Sequence, residues 1–392
     1  SQCRLIGNTA DEAGGGASVS RLDHCEIFDN RAVSHSGGGV EYSSLTRCLL
    51  KNNSANYDGG GGYKSDMTNC TMIGNCAKAG GGSSEGQLAG CLIVSNSARF
   101  CGGGTSGGML RNCTIIGNFA YLGGGVHAGT LNNCIAYGNW ANSSPNHTNA
   151  AFGYSCTTPL PAGAGNIESD PQMASDSHLA AGSPCVGAGY ADYAVGTDLD
   201  GEVWRNPPAM GCDEVCPGSA TGVLEVAAWA AYTNITVEFA GRFQADIEGR
   251  TTASKWEWGD GSATSNQPFA EHVFTATGSY DVVLLAYNEE YSSGVAATVT
   301  VQVVAAGEAM RIHYVSVNSI RPLPPYLYWE TAAACIQDAV DVACVSGATV
   351  WVSNGTYATG GRPFGGSLTS RVAIINPIVV QSVNGPESTT IR

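Results

Sequence analysis

The nine residues from Leu22 to Asn30, which read LDHCEIFDN, decide the fold because the same pattern returns along the first third of the chain. Each copy has the form Leu-x-x-Cys-x-Ile-x-x-Asn, with some variation among the apolar residues. Successive pattern cysteines are 21 to 23 residues apart, and a run of glycines separates neighbouring copies. A fixed period of this length indicates a repeat architecture. The ladder residues of the full copies are Cys25, Cys48, Cys70, Cys91, Cys113 and Cys134, with Asn30, Asn53, Asn75, Asn96, Asn118 and Asn139.

The repeat predicts an all-β fold, a right-handed parallel β-helix with about 22 residues per coil. The cysteine and the apolar residue two positions later share one face of a strand. Three short strands with tight bends account for such a coil, and stacked coils place identical residues above one another. The cysteines then form an inward ladder, and the asparagines hydrogen-bond along the stack. The leucine-rich-repeat horseshoe is the weaker alternative, because glycine runs replace its helix-forming half.

The glycine runs and the pattern of Cys113 to Asn118 resemble the repeats of chlamydial polymorphic outer-membrane proteins. The resemblance to long secreted β-helix proteins of environmental bacteria is closer. From Ala181 to Glu214 the chain resembles the end of such proteins, which implies a closing cap on the last coil. The first predicted domain is therefore residues 1–216, coils plus cap.

A second resemblance covers residues 222 to 304 and defines the predicted domain 217–308. Trp256-Glu-Trp258-Gly-Asp260-Gly, His272-x-Phe274 and Gly278-Ser-Tyr280 resemble the polycystic-kidney-disease (PKD) domain, an immunoglobulin-like sandwich. Residues 309–392 resemble the N-terminal cap and first coils of another secreted β-helix. Their helical stretch, Ala332 to Ala343, is expected to plug the bottom of that stack.

Charge, hydrophobicity and cysteine content limit the partners and the cellular compartment that the chain can have. The chain has 392 residues and a net charge of −15, which argues against a nucleic-acid partner, and no apolar stretch predicts a transmembrane segment. Fifteen cysteines predict some disulfides in an extracellular or cell-surface setting. Cys185 with Cys212 is the preferred pair, because both lie in the predicted cap, and Cys76 with Cys101 is the second.

Since the sequence starts at Ser1 inside a repeat and stops at Arg392 inside a strand pattern, we expect a processed product or a segment of a longer protein.

No catalytic or cofactor-binding residues are predicted. Enzymes on this fold need carboxylates of adjacent coils to converge, and no column of the repeat stacks two acids. The column after the ladder cysteine, for example, holds Arg4, Glu26, Leu49, Thr71, Leu92, Thr114 and Ile135. Asp198, Asp200 and Glu202 are calcium candidates, and a capping turn is the alternative explanation for them.

These observations favour a non-enzymatic, extracellular structural or adhesive protein that self-associates. Residues 311–392 would complete the β-helix of the next copy, in a head-to-tail filament or a tandem array. The alternatives are a secreted β-helix protein that binds or degrades polysaccharide, and the passenger domain of a surface adhesin.

Overall fold

The computed structural model describes residues 1–12, 14–305, 311–322, 324–343, 345, 347–360, 362–363, 369–374 and 376–392. The predicted boundary between residues 308 and 309 lies outside these residues. The described chain is almost entirely β-structure, as predicted. It contains a parallel β-helix of about seven turns, a sandwich and a C-terminal parallel sheet.

Four parallel sheets, here named A to D, run along the β-helix. Each coil contributes one short strand to each sheet, and neighbouring strands pair in register from coil to coil. Sheet A contains Arg4–Ile6, Glu26–Phe28, Leu49–Lys51, Thr71–Ile73, Leu92–Val94, Thr114–Ile116, Ile135–Tyr137 and Cys156–Thr157. Sheet B contains Thr9–Ala10, Arg31–Ala32, Ser54–Ala55, Cys76–Ala79, Ser97–Cys101, Phe119–Leu122 and Trp140–Ser143. Sheet C contains Ala17–Ser18, Val40–Glu41, Gly62–Tyr63, Ser83–Ser84, Thr105–Ser106, Val126–His127 and His147–Thr148. Sheet D contains Arg21–Asp23, Ser44–Thr46, Asp66–Thr68, Gln87–Ala89, Met109–Arg111, Thr130–Asn132 and Ala151–Gly153.

The coil has four strands where the sequence predicted three. The fourth strand fits because the strands are only two to five residues long and three of the four bends of a coil take only about two residues each. In the coil of Cys70, for example, Asn69 and Gly74 both adopt positive φ, at 49° and 64°. Asparagine and glycine tolerate this left-handed conformation better than other residues.

The ladder cysteines fill the interior of the β-helix. Cys25 to Cys134 are each at most 2% exposed and pack with the inward leucine, isoleucine and methionine side chains. Backbone amides also contact the sulfurs, as Cys25 N does to Cys48 Sγ at 3.4 Å. The thiols therefore act as small hydrophobic residues with weak polar contacts.

The ladder asparagines are buried and connect the coils through their side chains. Asn96 Nδ2 donates to Asn118 Oδ1 at 3.0 Å and to Met72 O at 2.9 Å. Asn96 Oδ1 accepts hydrogen bonds from the backbone and side-chain nitrogens of Asn75, both at 2.9 Å. Each amide thus satisfies polar groups of its own coil and its neighbours, at a corner that water does not reach.

The glycine runs lie where two corners come too close for a side chain. A Cβ on Gly81 would overlap the carbonyl oxygens of Ser97 and Gly103. This close approach, in addition to positive φ, explains why the runs recur in the repeat.

Residues 170–216, here named the covering layer, differ in position from the predicted closing cap. They pack along the outer face of sheet A, where their apolar residues join Leu92, Val94, Ile116 and Ile135 in one core cluster. Cys212 N donates to Thr114 Oγ1 at 3.0 Å, a contact on the side of the stack. The reason is that the outer face of sheet A becomes apolar in the upper coils and must be buried.

The sandwich consists of two sheets around a core of two tryptophans. Trp256 and Trp258 are fully buried and stacked, with ring centroids 5.5 Å apart. The three-stranded sheet contains Glu225–Ala230, Ala240–Glu248 and Phe269–Val273. The five-stranded sheet contains Asn234–Thr236, Ala253–Glu257, Ala263–Ser265, Gly278–Tyr287 and Val295–Val304.

The C-terminal part has a parallel sheet of Ile312–Val315, Thr349–Val352 and Val379–Ser382, in that order. Two further pairs form, Gly355–Tyr357 with Thr389–Ile391 and Arg362–Pro363 with Thr369–Ser370. The α-helix Ile336–Val342 packs on the three-stranded sheet, and short 3-10 helices lie at Ala191–Tyr193 and Trp329–Thr331.

Replacing Asn96 by alanine should destabilise the chain by about 2–4 kcal/mol, because Met72 O and the nitrogens of Asn75 lose buried partners. Urea unfolding followed by circular dichroism measures the change. The exposed Gln87, in the same coil, is the control, and Gln87→Ala should stay within about 0.5 kcal/mol of the parent. Equal midpoints for the two variants would contradict the role given to the asparagine ladder.

Candidate functional site

A group of ionisable side chains lies where the covering layer meets the sandwich. It surrounds a cavity of about 190 Å³. From the covering layer the cavity is lined by His178, Asp200, Glu202, Asp213 and Glu214, among others. The sandwich adds the segment 250–252 and Glu289. Two separately folded parts of the chain therefore share one polar site.

His178 is at the centre of this group. Its Nε2 atom lies 3.0 Å from Asp200 Oδ2, and its Nδ1 atom lies 3.0 and 2.9 Å from the hydroxyls of Ser175 and Ser177. Asp213 also lies near the ring, because a ring nitrogen of His178 and one carboxylate oxygen each of Asp200 and Asp213 lie within 4.8 Å of one another. Asp213 Oδ2 is held by the amide of Leu179 at 2.8 Å.

Arg250 is the contribution of the sandwich to the site. Its Nε atom lies 3.1 Å from Asp200 Oδ2, and one terminal nitrogen lies 2.7 Å from Glu202 Oε1. The same nitrogen donates to Ser219 O at 3.0 Å. A guanidinium that bridges two carboxylates is a strong and oriented contact, so Arg250 fixes the sandwich to the covering layer.

Burial and charge shift the pKa values of the group in opposite directions. Burial raises the pKa of Asp198 and of Asp213 to about 6, although hydrogen bonds from backbone amides oppose the shift. Burial alone would lower the pKa of His178, but the hydrogen bond to Asp200 and nearby carboxylates raise it above its ordinary value. For Asp200, burial acts upward, but His178 and Arg250 hold the pKa below its usual range.

This arrangement is an ion-pair network across a domain junction. His178, Asp200 and Asp213 are the described residues that could hold a metal ion. However, the imidazole of His178 and the guanidinium of Arg250 both contact Asp200, so two protein groups already engage this carboxylate. The chemistry that the geometry supports best is the locking of the sandwich onto the β-helix.

The three calcium candidates do not converge on one point. Asp198 is fully buried, and its oxygens accept hydrogen bonds from Glu202 N at 2.6 Å and Glu214 N at 3.0 Å. This is the capping turn that the sequence offered as the alternative explanation. Asp200 and Glu202 point to Arg250 instead. Calcium binding by this trio stays a prediction, and an arginine lies between two of its members.

The structure places the predicted disulfide partners in different surroundings. Cys185 and Cys212 are buried free thiols. The Cys185 thiol raises the pKa of the neighbouring Cys156, whereas Cys212 Sγ contacts Ser177 O at 3.7 Å.

Cys76 and Cys101 lie in adjacent coils, but they are not opposite each other. The parallel register pairs Cys76 with Ser97, and it pairs Cys101 with Ala79. Because a strand step is about 3.3 Å, the offset along the strand separates the two side chains.

Sequence reasoning missed the central members of the site. Asp213 and Glu214 were seen only as part of a terminal motif, and His178 and Arg250 were not singled out. These residues are up to 72 positions apart, the separation of His178 and Arg250, so no local pattern connects them. The available signal was the outward face of the sheet A strands, where Leu92, Val94, Ile116 and Ile135 together predict an outer layer.

Comparison with known proteins identifies one part of the chain. Residues 224–303 match the family described as the PKD domain, which agrees with the sandwich strands. A search of curated proteins found no match. No helix among the described residues is long and apolar enough to cross a membrane. A PKD domain beside a β-solenoid fits an extracellular adhesive or structural role in general terms.

The site should make the chain more stable at mildly acidic than at neutral pH. The pKa of Asp198 and of Asp213 is about 6 in the folded chain against 3.8 ordinarily, so between these values the folded state binds more protons. The raised pKa of His178 acts in the same direction, because its contribution is lost as the pH rises through the folded value. The lowered pKa of Asp200 acts oppositely, but only as the pH falls below 3.8. We expect about 1 kcal/mol of stabilisation for each raised carboxyl between about pH 7.5 and about pH 5.5, measured by urea unfolding.

Asp213→Asn tests this assignment, because its amide oxygen keeps the bond to Leu179 N while the titrating group is removed. The increase in the free energy of unfolding between about pH 7.5 and about pH 5.5 should be smaller by about 1 kcal/mol. Asp66→Asn, at an exposed position of sheet D, should leave the increase unchanged. An Asp213→Asn variant with the full increase would show that Asp213 does not cause it.

Proposed function

We propose that this chain is an extracellular structural or adhesive protein, with the β-helix as a stiff shaft and residues 311–392 completing the β-helix of the next copy. The observation that carries the proposal is the C-terminal parallel sheet. In it Val379–Ser382 is the outer strand, next to Thr349–Val352. The next copy is a separate chain or a unit joined covalently to this one.

The outer strand presents backbone groups that suit a further parallel strand. Val379 N donates to Ala348 O and Val383 N donates to Val352 O, so these amides face inward. Because parallel strands alternate, the amides of Val380 and Ser382 face the open side. An exposed edge of this kind is a template for strand addition.

The first coil of the β-helix offers the complementary edge. Arg4–Ile6 is the terminal strand of sheet A, and strands of the same coil terminate the other three sheets. In the next coil, Glu26 N donates to Cys3 O, the same parallel pattern as in the C-terminal sheet. The two edges therefore have matching polarity when the strands run in the same direction.

The C-terminal helix supports the view that this sheet starts a stack. Ile336, Ala339 and Val340 pack against Val350 and Val352 in one buried cluster. The helix covers the interior of these first coils, so further strands can be added only at the open edge, next to Val379–Ser382. The strands there are 37 and 30 residues apart, from Ile312 to Thr349 to Val379, so the loops are longer than in the 22-residue coils. Only the strands have to match for the sheet to continue.

Contacts between the β-helix and the sandwich support a stiff particle. Arg242 stacks on Trp140, 4.1 Å from the ring centroid. Gln267 donates to Asp170 at 2.7 Å, and a Cβ on Gly117 would overlap the ring of Phe269. Together with Arg250, these contacts hold the sandwich against the shaft over several coils.

We also propose that the chain is not an enzyme. Among the described residues, the outward columns of the β-helix hold no stacked carboxylates. The clustered carboxylates at the junction are engaged by Arg250, His178 and backbone amides. Cleavage assays on a panel of polysaccharides are expected to show no activity.

Val380→Pro tests the assembly, because proline removes an outward amide that the added strand needs. We expect the parent to form regular end-to-end filaments in electron micrographs and the variant to form none. Val380→Ala is the matched control, since it loses similar packing but keeps the amide. Filaments of unchanged length from Val380→Pro, or a parent that stays monomeric at high concentration, would reject the proposed contact.

A further inference from the structure

We propose that five side chains on one outer corner of the β-helix bind an acidic polysaccharide that runs along the helix axis. They are Tyr57, Lys78, Arg99, Phe100 and Tyr121, here named the aromatic strip. This inference rests on the adhesive part of the proposed function, for which it names a class of partner. It does not depend on assembly into filaments.

The strip follows from the register of sheet B. Ala77, Ala98 and Ala120 pair with one another in consecutive coils, and all three are buried. Because side chains alternate along a strand, the residues that follow them point outward. In the middle coil the register shifts after Ala98, and Arg99 and Phe100 are both exposed.

The aromatic members are too exposed to be part of a core. Tyr57 is 51% exposed, Phe100 50% and Tyr121 61%. Lys78 lies between two of them, with Nζ 5.8 Å from the ring centroid of Tyr57 and 5.5 Å from that of Phe100. This cation–π contact keeps the rings in line along the axis. The third ring, Tyr121, continues the column in the next coil.

The spacing suits a linear chain of sugar rings. Adjacent parallel strands are about 4.8 Å apart, so the three steps from Tyr57 to Tyr121 cover roughly 14 Å. A polysaccharide presents C–H faces and hydroxyls at a regular repeat, which amphipathic aromatic side chains recognise. The repeat of the protein surface is set by the β-helix and cannot drift between coils.

Charge selects an acidic ligand over a neutral one. The chain carries a net charge of −15, yet this corner holds Lys78 and Arg99. Neither makes an ion pair with a carboxylate of the described residues, although Lys78 interacts electrostatically with the half-buried Asp58. The local charge of the three groups is +1, against the sign of the whole molecule. An anionic chain is therefore attracted to this corner.

A second aromatic group on the β-helix provides an internal control. Lys64 lies over Tyr42 and Tyr63, at 5.9 and 5.1 Å from the ring centroids. Its ammonium, however, is 3.3 Å from Glu85, so its charge is neutralised. The two corners share aromatic rings and a lysine but differ in free positive charge.

The test measures retardation of the full chain in gels that contain polygalacturonate, with dextran as the neutral probe. We expect polygalacturonate to retard the parent, less so as salt increases, and dextran to have no effect. Lys78→Glu with Arg99→Glu should weaken binding on the order of tenfold, and Tyr121→Ala should weaken it without changing the charge. Tyr42→Ala with Lys64→Gln should bind as the parent does. Unchanged urea midpoints show that each variant is folded.

Three results would overturn the inference: no retardation of the parent, full binding by the Lys78→Glu, Arg99→Glu variant, or equal retardation in dextran. Filament formation is measured separately. If filaments form and polygalacturonate does not bind, only this inference fails. If polygalacturonate binds and no filaments form, the aromatic strip stands and the head-to-tail contact fails.

Discussion

The structure depends on one constraint: every coil has to present the same polar groups at the same height as its neighbours. The asparagine column meets this constraint, because each buried side chain serves its own coil, the coil below and the coil above. Strand pairing, cysteine burial and the glycine contacts all require this alignment. A coil whose strands were out of register would leave several buried backbone groups without partners, whereas the segments between sheets B and C absorb the difference between coils of 21 and 23 residues.

The alignment also sets up the layers outside the β-helix. Outward positions of sheet A form columns, and where these columns present apolar residues, as at Leu92, Val94, Ile116 and Ile135, the chain has to cover them. The covering layer does so, and in turn it holds His178, Asp200 and Asp213 where the sandwich can reach them. Arg250 then closes the junction. The stacking of the coils and the position of the sandwich therefore have one origin, which fits the proposed structural or adhesive role.

The sequence predicted the repeating β-helix and the PKD-like sandwich. The parallel β-helix was read from one nine-residue pattern, and the sandwich from the series that includes Trp256 and Trp258. The predicted number of strands per coil was wrong, because bends of two residues leave little trace in a sequence. The covering layer was expected on the end of the stack because its motif resembled a terminal coil. Its position on the side follows from the apolar outward residues of sheet A.

The candidate site could not be predicted to the same extent. Asp200 and Glu202 were considered together as possible ligands, but their partner Arg250 belongs to another domain. Contacts between two domains depend on how their surfaces meet. The residues that form them do not repeat along the chain, so no local sequence pattern predicts which of them will pair.

Hydrogen–deuterium exchange of the backbone amides tests the central claim most directly. Amides of Asn30, Asn53, Asn75, Asn96 and Asn118 donate to the side chain of the next asparagine in the column. If the column aligns the stack, these amides exchange more slowly than those of the sandwich strands, and at similar rates from Asn53 to Asn118. Fast exchange along the column, with protection confined to the sandwich, would contradict the account.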